Sequence, residues 1–137
     1  MLVIDTGPLV AAAASNDQDH ERSAELLTSS EGPLVVPTLV IAEVAYFLGL
    51  RLGQKAEGRF AGAFEAGELL AEPVERSDWP RILELTRDYA DLGLGITDAS
   101  VVATCERLGQ TKLATLDHRH FAVVRPRNCP SFELLPA

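Results

Sequence analysis

Four carboxylates stand at places where a parallel α/β sheet would bring them together: Asp5, Glu43, Asp98 and Asp117. Asp5 ends the first apolar run of the chain, and Asp117 ends the run that starts at Lys112. Glu43 lies about one and a half turns into the helix expected after the second strand, and Asp98 begins the helix that leads to the fourth. Since open parallel sheets bind ligands beyond the carboxyl ends of their strands, we expect these side chains to share one edge of one sheet.

A cluster of this kind needs neutralisation. Two unit charges about 4 Å apart repel each other by roughly 4 kcal/mol at an effective dielectric constant of about 20, so protons or cations must relieve the repulsion. With oxygen ligands only, and no paired His or Cys nearby, Mg²⁺ is favoured over Zn²⁺, and Mn²⁺ is an alternative. A divalent ion held in this way activates water and offsets charge on a phosphoryl group.

Each carboxylate also has a purely structural interpretation. Asp5 is a good helix cap, Asp98 complements the dipole at a helix N-terminus by about 0.3–1 kcal/mol, and Asp117 fits a polar turn. Glu43 is harder to explain in this way, because its neighbours are apolar and a carboxylate among them needs a partner. Taken together, the four positions favour one shared site.

The elements that must position these residues alternate between strand and helix. Short apolar strands are predicted at 2–5, 34–36, 69–74 and 112–117, with edge strands at 122–124 and 132–135, and helices lie between them. This alternation predicts an α/β fold with a parallel sheet. No linker divides the chain, so residues 1–137 are expected to form a single domain. No apolar run is long enough to span a membrane, and the N-terminus lacks a basic region, so we expect a cytoplasmic protein.

Four segments, taken in order, resemble those of a known family: Val3–Leu9, Val36–Val44, Leu94–Ser100 and Leu113–Phe121. They are similar to the PIN-domain ribonucleases, especially the VapC-type toxins of bacterial toxin–antitoxin pairs, and the ending Phe132–Pro136 is similar as well. The resemblance covers the whole chain. It implies a three-layer α/β/α fold with a mostly parallel central sheet.

The resemblance also implies a function for the four carboxylates. They would line a Mg²⁺ site at which metal-activated water cleaves RNA, with Asp5 and Asp98 as direct ligands and Glu43 and Asp117 acting partly through water. Two hydroxyls, those of Thr6 and Thr115, would support the ligands from behind. No nucleophile elbow, Cys/His pair or P-loop offers a different catalytic group.

The charge balance limits how RNA is held. The chain has 12 Lys+Arg against 20 Asp+Glu, a net charge of −8, which argues against binding nucleic acid by bulk electrostatics. It does not exclude nuclease chemistry, because bound cations change the charge of the site. The most basic stretch, 107–127, borders the expected site, and a solvated face is its structural alternative. The candidate RNA contacts there are Arg119, Arg125 and Arg127, and a second candidate set is Arg51, Lys55 and Arg59.

A protein partner is expected as well. The helix predicted at 38–52 is apolar nearly all round, and with the helix at 54–66 it offers a contiguous apolar surface, which is typical of an interaction site. By resemblance, this surface would accept a helix of a cognate antitoxin whose basic tail reaches the carboxylates, and the protein would form a homodimer. The structural alternative is a helix that is wholly internal.

Three rival hypotheses fit the pattern less well. A phospho-acceptor receiver domain needs adjacent acids after its first strand and a lysine after its last functional strand, but Thr6 follows Asp5 and Lys112 precedes its strand. A haloacid-dehalogenase-like phosphatase needs two acids one residue apart, but Gly7 stands at the second position. A PIN domain that serves only as a binding scaffold would not need all four carboxylates.

Overall fold

A parallel sheet of five strands forms the centre of the computed structural model, which describes residues 1–137. The strands are β1 (Leu2–Ile4), β2 (Leu34–Pro37), β3 (Leu70–Glu72), β4 (Lys112–Ala114) and β5 (Glu133–Leu135). Their order across the sheet is β3-β2-β1-β4-β5, and every neighbouring pair is parallel. The sheet is therefore fully parallel, where the sequence predicted a mostly parallel one.

Seven α-helices accompany the sheet and give the predicted three-layer α/β/α arrangement. They are α1 (Thr6–Ala13), α2 (His20–Ser29), α3 (Thr38–Leu52), α4 (Gln54–Glu65), α5 (Trp79–Asp88), α6 (Ile96–Arg107) and α7 (His118–Phe121). Two short 3-10 turns, Arg76–Asp78 and Ala90–Leu92, precede α5 and α6. None of the helices combines the length and the apolar character that crossing a membrane requires.

The core lies between the sheet and these helices. Val3, Ile4 and Leu113 are fully buried in the central strands, as expected for strands that are covered on both faces. Helix α6 contributes an uninterrupted buried run, Ala99–Cys105. A helix that is buried on all sides is held rigidly, so the residues at its first turn have fixed positions.

One predicted element is absent. The run 122–124 is not an edge strand but the turn that closes α7, because the backbone N–H of Ala122 donates to His118 and that of Val124 donates to His120. Phe121 and Val124 are buried, whereas the two residues between them are exposed. Burial at this spacing follows a helical turn, so three apolar residues in a row did not indicate a strand here.

The connections define one particular edge of the sheet. The chain starts in the middle with β1, adds β2 and β3 on one side, and then crosses to β4 and β5 on the other. The direction of winding therefore reverses between β1 and β4, which are direct neighbours through the pair Ile4 and Ala114. In open α/β sheets the ligand crevice lies at such a switch point, beyond the carboxyl ends of the strands.

Candidate active site

Asp5 and Thr115 follow β1 and β4 at this switch point. Asp5 is only 6% exposed and Thr115 is fully buried. The Thr115 hydroxyl donates a hydrogen bond to Asp5 Oδ2 at 2.9 Å and accepts one from the backbone N–H of Asp117 at 3.0 Å. Thr115 thus links the ends of the two strands and orients the Asp5 carboxylate.

Asp5 is a perturbed acid. Burial raises the pKa of the Asp5 carboxyl to about 6, against the lowering effects of the Thr6 backbone N–H and the Thr115 hydroxyl, and the charges of Asp98 and Glu43 raise it further. Asp5 makes no side-chain capping bond to α1, so its structural interpretation as a helix cap does not explain its position. The electrostatic coupling shows that three of the predicted carboxylates act on one another.

Asp98 and Asp117 approach each other from different elements. Asp98 is the third residue of α6, and Asp117 immediately precedes α7. Potential ligand atoms of Asp98, Asp117 and His120 all lie within 4.8 Å of one another. Burial is the main cause that raises the pKa of Asp98; the charge of His120 lowers it, while those of Asp117 and Glu43 raise it.

His120 is a member of the cluster that the sequence analysis did not include. Its Nδ1 lies 2.5 Å from Asp117 Oδ2 and its Nε2 lies 3.0 Å from the carbonyl oxygen of Leu92. Both partners are acceptors, so both ring nitrogens donate, which requires the protonated imidazolium. The bond to Asp117 is the main reason that the pKa of His120 is raised. The sequence had suggested a site of oxygen ligands without a paired histidine; in the structure His120 lies within the cluster as the partner of Asp117.

The contact between His120 and Asp117 could have been predicted from their spacing in the sequence. Residues three apart on a helix are neighbours, and Asp117 and His120 have this spacing across α7. The Asp117 carboxylate also accepts from the backbone N–H of His120 at 3.0 Å, as a cap of that short helix. With both ring nitrogens engaged, His120 has none left for a metal ion, and the free donor atoms of the cluster are oxygens.

Glu43 approaches the cluster from α3. It is half-buried and lies between Val40 and Val44, which are fully buried. It takes part in none of the ion pairs of the chain. The partner that a carboxylate among apolar neighbours requires is thus not a basic side chain of this protein.

The remaining predicted residues lie in different surroundings. The Thr6 hydroxyl is buried and has no hydrogen-bond partner, so it bonds to none of the carboxylates. Arg119 is exposed on α7, and Arg125 is exposed just beyond it, where its guanidinium donates to the carbonyl oxygen of Ala122. The guanidinium of Arg127 instead pairs with Glu84 at 2.8 Å, so this arginine is engaged elsewhere.

The donor set fits a hard divalent cation. Asp5, Glu43 and Asp98 have no arginine or lysine partner, and they repel one another. Carboxylate oxygens are the ligands that Mg²⁺ and Mn²⁺ prefer. A bound cation would offset the repulsion that, together with burial, raises the pKa values of Asp5 and Asp98.

Comparisons with known proteins also point to a nuclease family. A family model described as the PIN domain matches residues 2–125. Ribonuclease VapC26 of Mycobacterium tuberculosis (strain ATCC 25618 / H37Rv) is 31% identical over 140 residues, which cover 98% of this chain and 100% of that protein.

Solved structures share the fold. The crystal structure of Mycobacterium tuberculosis VapC20, described as a Sarcin-Ricin loop cleaving toxin, superposes with a TM-score of 0.81 at 20% identity, covering 92% of this chain and 100% of that chain. VapBC2 from Rickettsia felis, solved bound to a DNA fragment from their promoter, gives a TM-score of 0.70 at 16% identity, covering 97% of each chain. At these identities the likeness concerns the fold.

Proposed function

We propose that this protein is a metal-dependent endoribonuclease and the toxin of a toxin–antitoxin pair. The chain belongs to the PIN-domain family and resembles its VapC ribonucleases throughout its length. Membership of this family removes the receiver-domain and phosphatase hypotheses. The observation that carries the proposal is the group of carboxylates at the switch point of the sheet that have no arginine or lysine partner and only one histidine among them. Such perturbed acids are typical of functional sites.

Each residue of the carboxylate cluster would have its own role in binding the cation. Asp5 and Asp98 would hold the cation directly, and Glu43 and Asp117 would complete its surroundings, partly through water. When bound, the cation supplies Lewis-acid chemistry: it lowers the pKa of water and offsets charge on the phosphoryl group. Thr115 orients Asp5 and His120 orients Asp117, so both carboxylates keep their geometry without substrate.

RNA would be held by local positive charge. Arg119 and Arg125 are exposed beside α7, which directly follows Asp117. Arg127 remains a candidate only if RNA displaces it from Glu84. Since few phosphates would be contacted, we expect the affinity for RNA to depend only weakly on salt concentration, compared with proteins that bind many phosphates along an extended basic surface.

The direct test is cleavage of RNA by the purified chain. We expect endonucleolytic cleavage in Mg²⁺, partial or full replacement by Mn²⁺, and none in EDTA. Asp98→Asn is the matched inactive variant, and it excludes a contaminating nuclease. Equal cleavage in EDTA and Mg²⁺ would refute the metal role, and no cleavage of any RNA would favour a binding scaffold.

The surface for the antitoxin would be the groove between α3 and α4. This groove encloses about 540 Å³, and its lining includes Ile41, Ala45 and the edge-to-face pair Phe60 and Phe64. An apolar groove of this type suits the apolar face of a helix. A basic tail beyond that helix would be attracted to the carboxylates.

Binding and assembly can be measured separately. We expect the cognate antitoxin to inhibit cleavage, and Ile41→Asp to abolish inhibition while the catalytic rate is kept. We also expect a homodimer, which light scattering of the isolated chain would reveal as twice the monomer mass. A mass that stays monomeric at all concentrations would contradict the homodimer only.

A further inference from the structure

A second cavity opens directly beside the carboxylate cluster, between α1 and α3. It encloses about 240 Å³, and we call it the α1–α3 pocket. Three of its lining residues are close neighbours of the carboxylates along the chain. Thr6 follows Asp5, Leu116 precedes Asp117, and Phe47 lies one helical turn after Glu43. Consecutive Cα atoms are about 3.8 Å apart. The backbone of Thr6 and Leu116 is therefore next to that of Asp5 and Asp117, and the pocket adjoins the candidate site.

The walls of the pocket combine an aromatic ring with a positive charge. Phe47 is 37% exposed, although it is a large apolar side chain. Arg51, one turn further along α3, leaves 42% of its side chain exposed. Its guanidinium donates from two nitrogens to a single oxygen, Asp17 Oδ2, at the long distances of 3.4 and 3.5 Å, whereas Arg81 binds both carboxylate oxygens of Glu106 at 2.9 Å. Arg51 is therefore loosely held and available to another anion.

Two further features of the pocket point to a ligand. The Thr6 hydroxyl is buried and unpartnered, and a buried donor without a partner is costly. Leu116 packs closely against Gly7, since a Cβ at Gly7 would lie 3.1 Å from Leu116 Cβ. The floor of the pocket is thus apolar and closely packed, and the unpartnered Thr6 hydroxyl is buried in its wall.

We propose that the α1–α3 pocket holds one nucleotide of the RNA next to the cleaved bond, an inference that rests on the ribonuclease function proposed above. The base lies against Phe47 and Leu116, and a phosphate displaces Asp17 from Arg51. Splayed bases that stack on aromatic side chains are the usual basis of single-stranded RNA recognition. The volume of about 240 Å³ is below the roughly 300–1,000 Å³ of pockets for drug-sized ligands, so it suits a single base, with the rest of the nucleotide outside.

RNA fits the pocket better than the antitoxin does. Arg51 is the one cation that lines the pocket and Asp17 is the one anion. A phosphate can take the place of Asp17 on Arg51, whereas a basic tail has no such exchange to make. The apolar groove for a helix lies elsewhere on α3, at Ile41 and Ala45. The pocket therefore predicts a base preference at one position of the RNA, set by Phe47.

The experiment measures cleavage of a single-stranded RNA pool of random sequence by the active full-length chain, with the cleaved ends sequenced. Phe47→Ala should raise KM by at least about fivefold, the lower end of the effect of losing one base stack, and should flatten the base preference at one position. Arg51→Ala should raise KM for all sequences alike and reduce the slope of log affinity against log salt by about 0.7. In both variants kcat should change by less than about twofold.

A third variant gives a change of opposite sign. Asp17→Asn removes the anion that competes for Arg51, so it should lower KM, an effect that damage to the fold does not produce. The matched controls are Trp79→Ala, which removes an exposed aromatic ring at the start of α5, and Arg22→Ala, which removes an exposed arginine paired to Asp19. Both controls should leave KM and the base preference unchanged.

The outcomes separate the two proposals. If the wild-type chain cleaves no RNA, the proposed function fails and the pocket assignment fails with it. If the wild type cleaves but Phe47→Ala and Arg51→Ala match it in KM, salt slope and base preference, the pocket assignment alone is overturned. It is also overturned if these variants weaken inhibition by the antitoxin and leave RNA cleavage as it was.

Discussion

The two ends of helix α6 carry opposite kinds of electrostatics. Asp98, in the first turn, lies among carboxylates and has a raised pKa. At the other end, Glu106 accepts two hydrogen bonds from Arg81, and Arg107 binds both Asp78 and Glu72. We call this second group the arginine network; it consists of Glu72, Asp78, Arg81, Glu84, Glu106 and Arg107.

The contrast distinguishes structural charge from functional charge. In the arginine network the acids find guanidinium partners within the chain, and Arg81 and Arg107 are largely buried, with side-chain exposures of 11% and 19%. In the carboxylate cluster the one positive group is His120. The chain has enough arginines to neutralise the cluster, but the fold directs them elsewhere. The excess of negative charge at the first turn of α6 therefore suits a cation that binds from solution.

The largest effect is expected from removing charge in the carboxylate cluster. Asp98→Asn should lower kcat for RNA cleavage by at least about 100-fold, because the metal contributes several kcal/mol to the transition state. The fold should persist, since the variant removes repulsion. Gel-based cleavage rates and circular dichroism check both points. Glu65→Gln, an exposed acid on α4, is the control and should cleave like the wild type.

The next effect concerns the arginine network and falls on stability. Arg107→Met should lower the free energy of unfolding by about 2–3 kcal/mol, because it leaves Asp78 buried without its partner. Urea denaturation measures the loss, and cleavage by the folded fraction should not change. Lys112→Met is the control: its pair with Glu133 is long, at 4.0 Å, and exposed, so the change should stay below about 0.5 kcal/mol. If both variants lost the same free energy of unfolding, the arginine network would not be a structural group.

Asp5→Asn should act in the opposite direction on stability. Because burial raises the pKa of Asp5 from 3.8 to about 6, ionisation at pH 7 costs folding free energy, and this cost disappears as the pH falls through 6 towards 4. In EDTA at pH 7 the variant should be more stable than the wild type by up to about 3 kcal/mol, and the gap should close near pH 4. Added Mg²⁺ should raise Tm for the wild type only. A variant that is less stable at pH 7 would show that Asp5 is a structural residue.

The smallest effect is expected at His120. Its pKa is raised by Asp117, so its stabilising contribution is complete below about pH 6.5 and is lost as the pH rises through the raised pKa. His120→Gln should therefore cost less than about 1 kcal/mol at pH 6, and the difference from the wild type should shrink in alkaline solution. His118→Gln, an exposed neighbour, should show no such trend.

Much of the fold and part of the site could be predicted from local pattern. Short apolar runs and helical spacing located all five observed strands, and the acids that follow β1 and β4 could be placed at one edge because parallel strands end on the same side. The false strand at 122–124 shows the limit of this approach, since three apolar residues in a row fit a buried turn equally well. His120 was missed although its spacing from Asp117 was visible.

Contacts between distant parts of the chain could not be predicted. The basic stretch 107–127 suggested one RNA-binding face, but Arg107 and Arg127 are engaged with carboxylates from other elements. His120 reaches Leu92, 28 residues away, only because α7 packs beside the start of α6. The α1–α3 pocket likewise joins residues from three separate segments.

The physical reason is the range of the forces involved. Helix and strand formation, capping and the side on which a strand ends depend on residues a few positions apart, so the chain itself specifies where its acids can stand. Whether a charge is neutralised depends on the residue that the crossovers bring next to it. The order β3-β2-β1-β4-β5 places arginines at one end of α6 and leaves the other end acidic, and this distribution of charge arises only when the elements pack together.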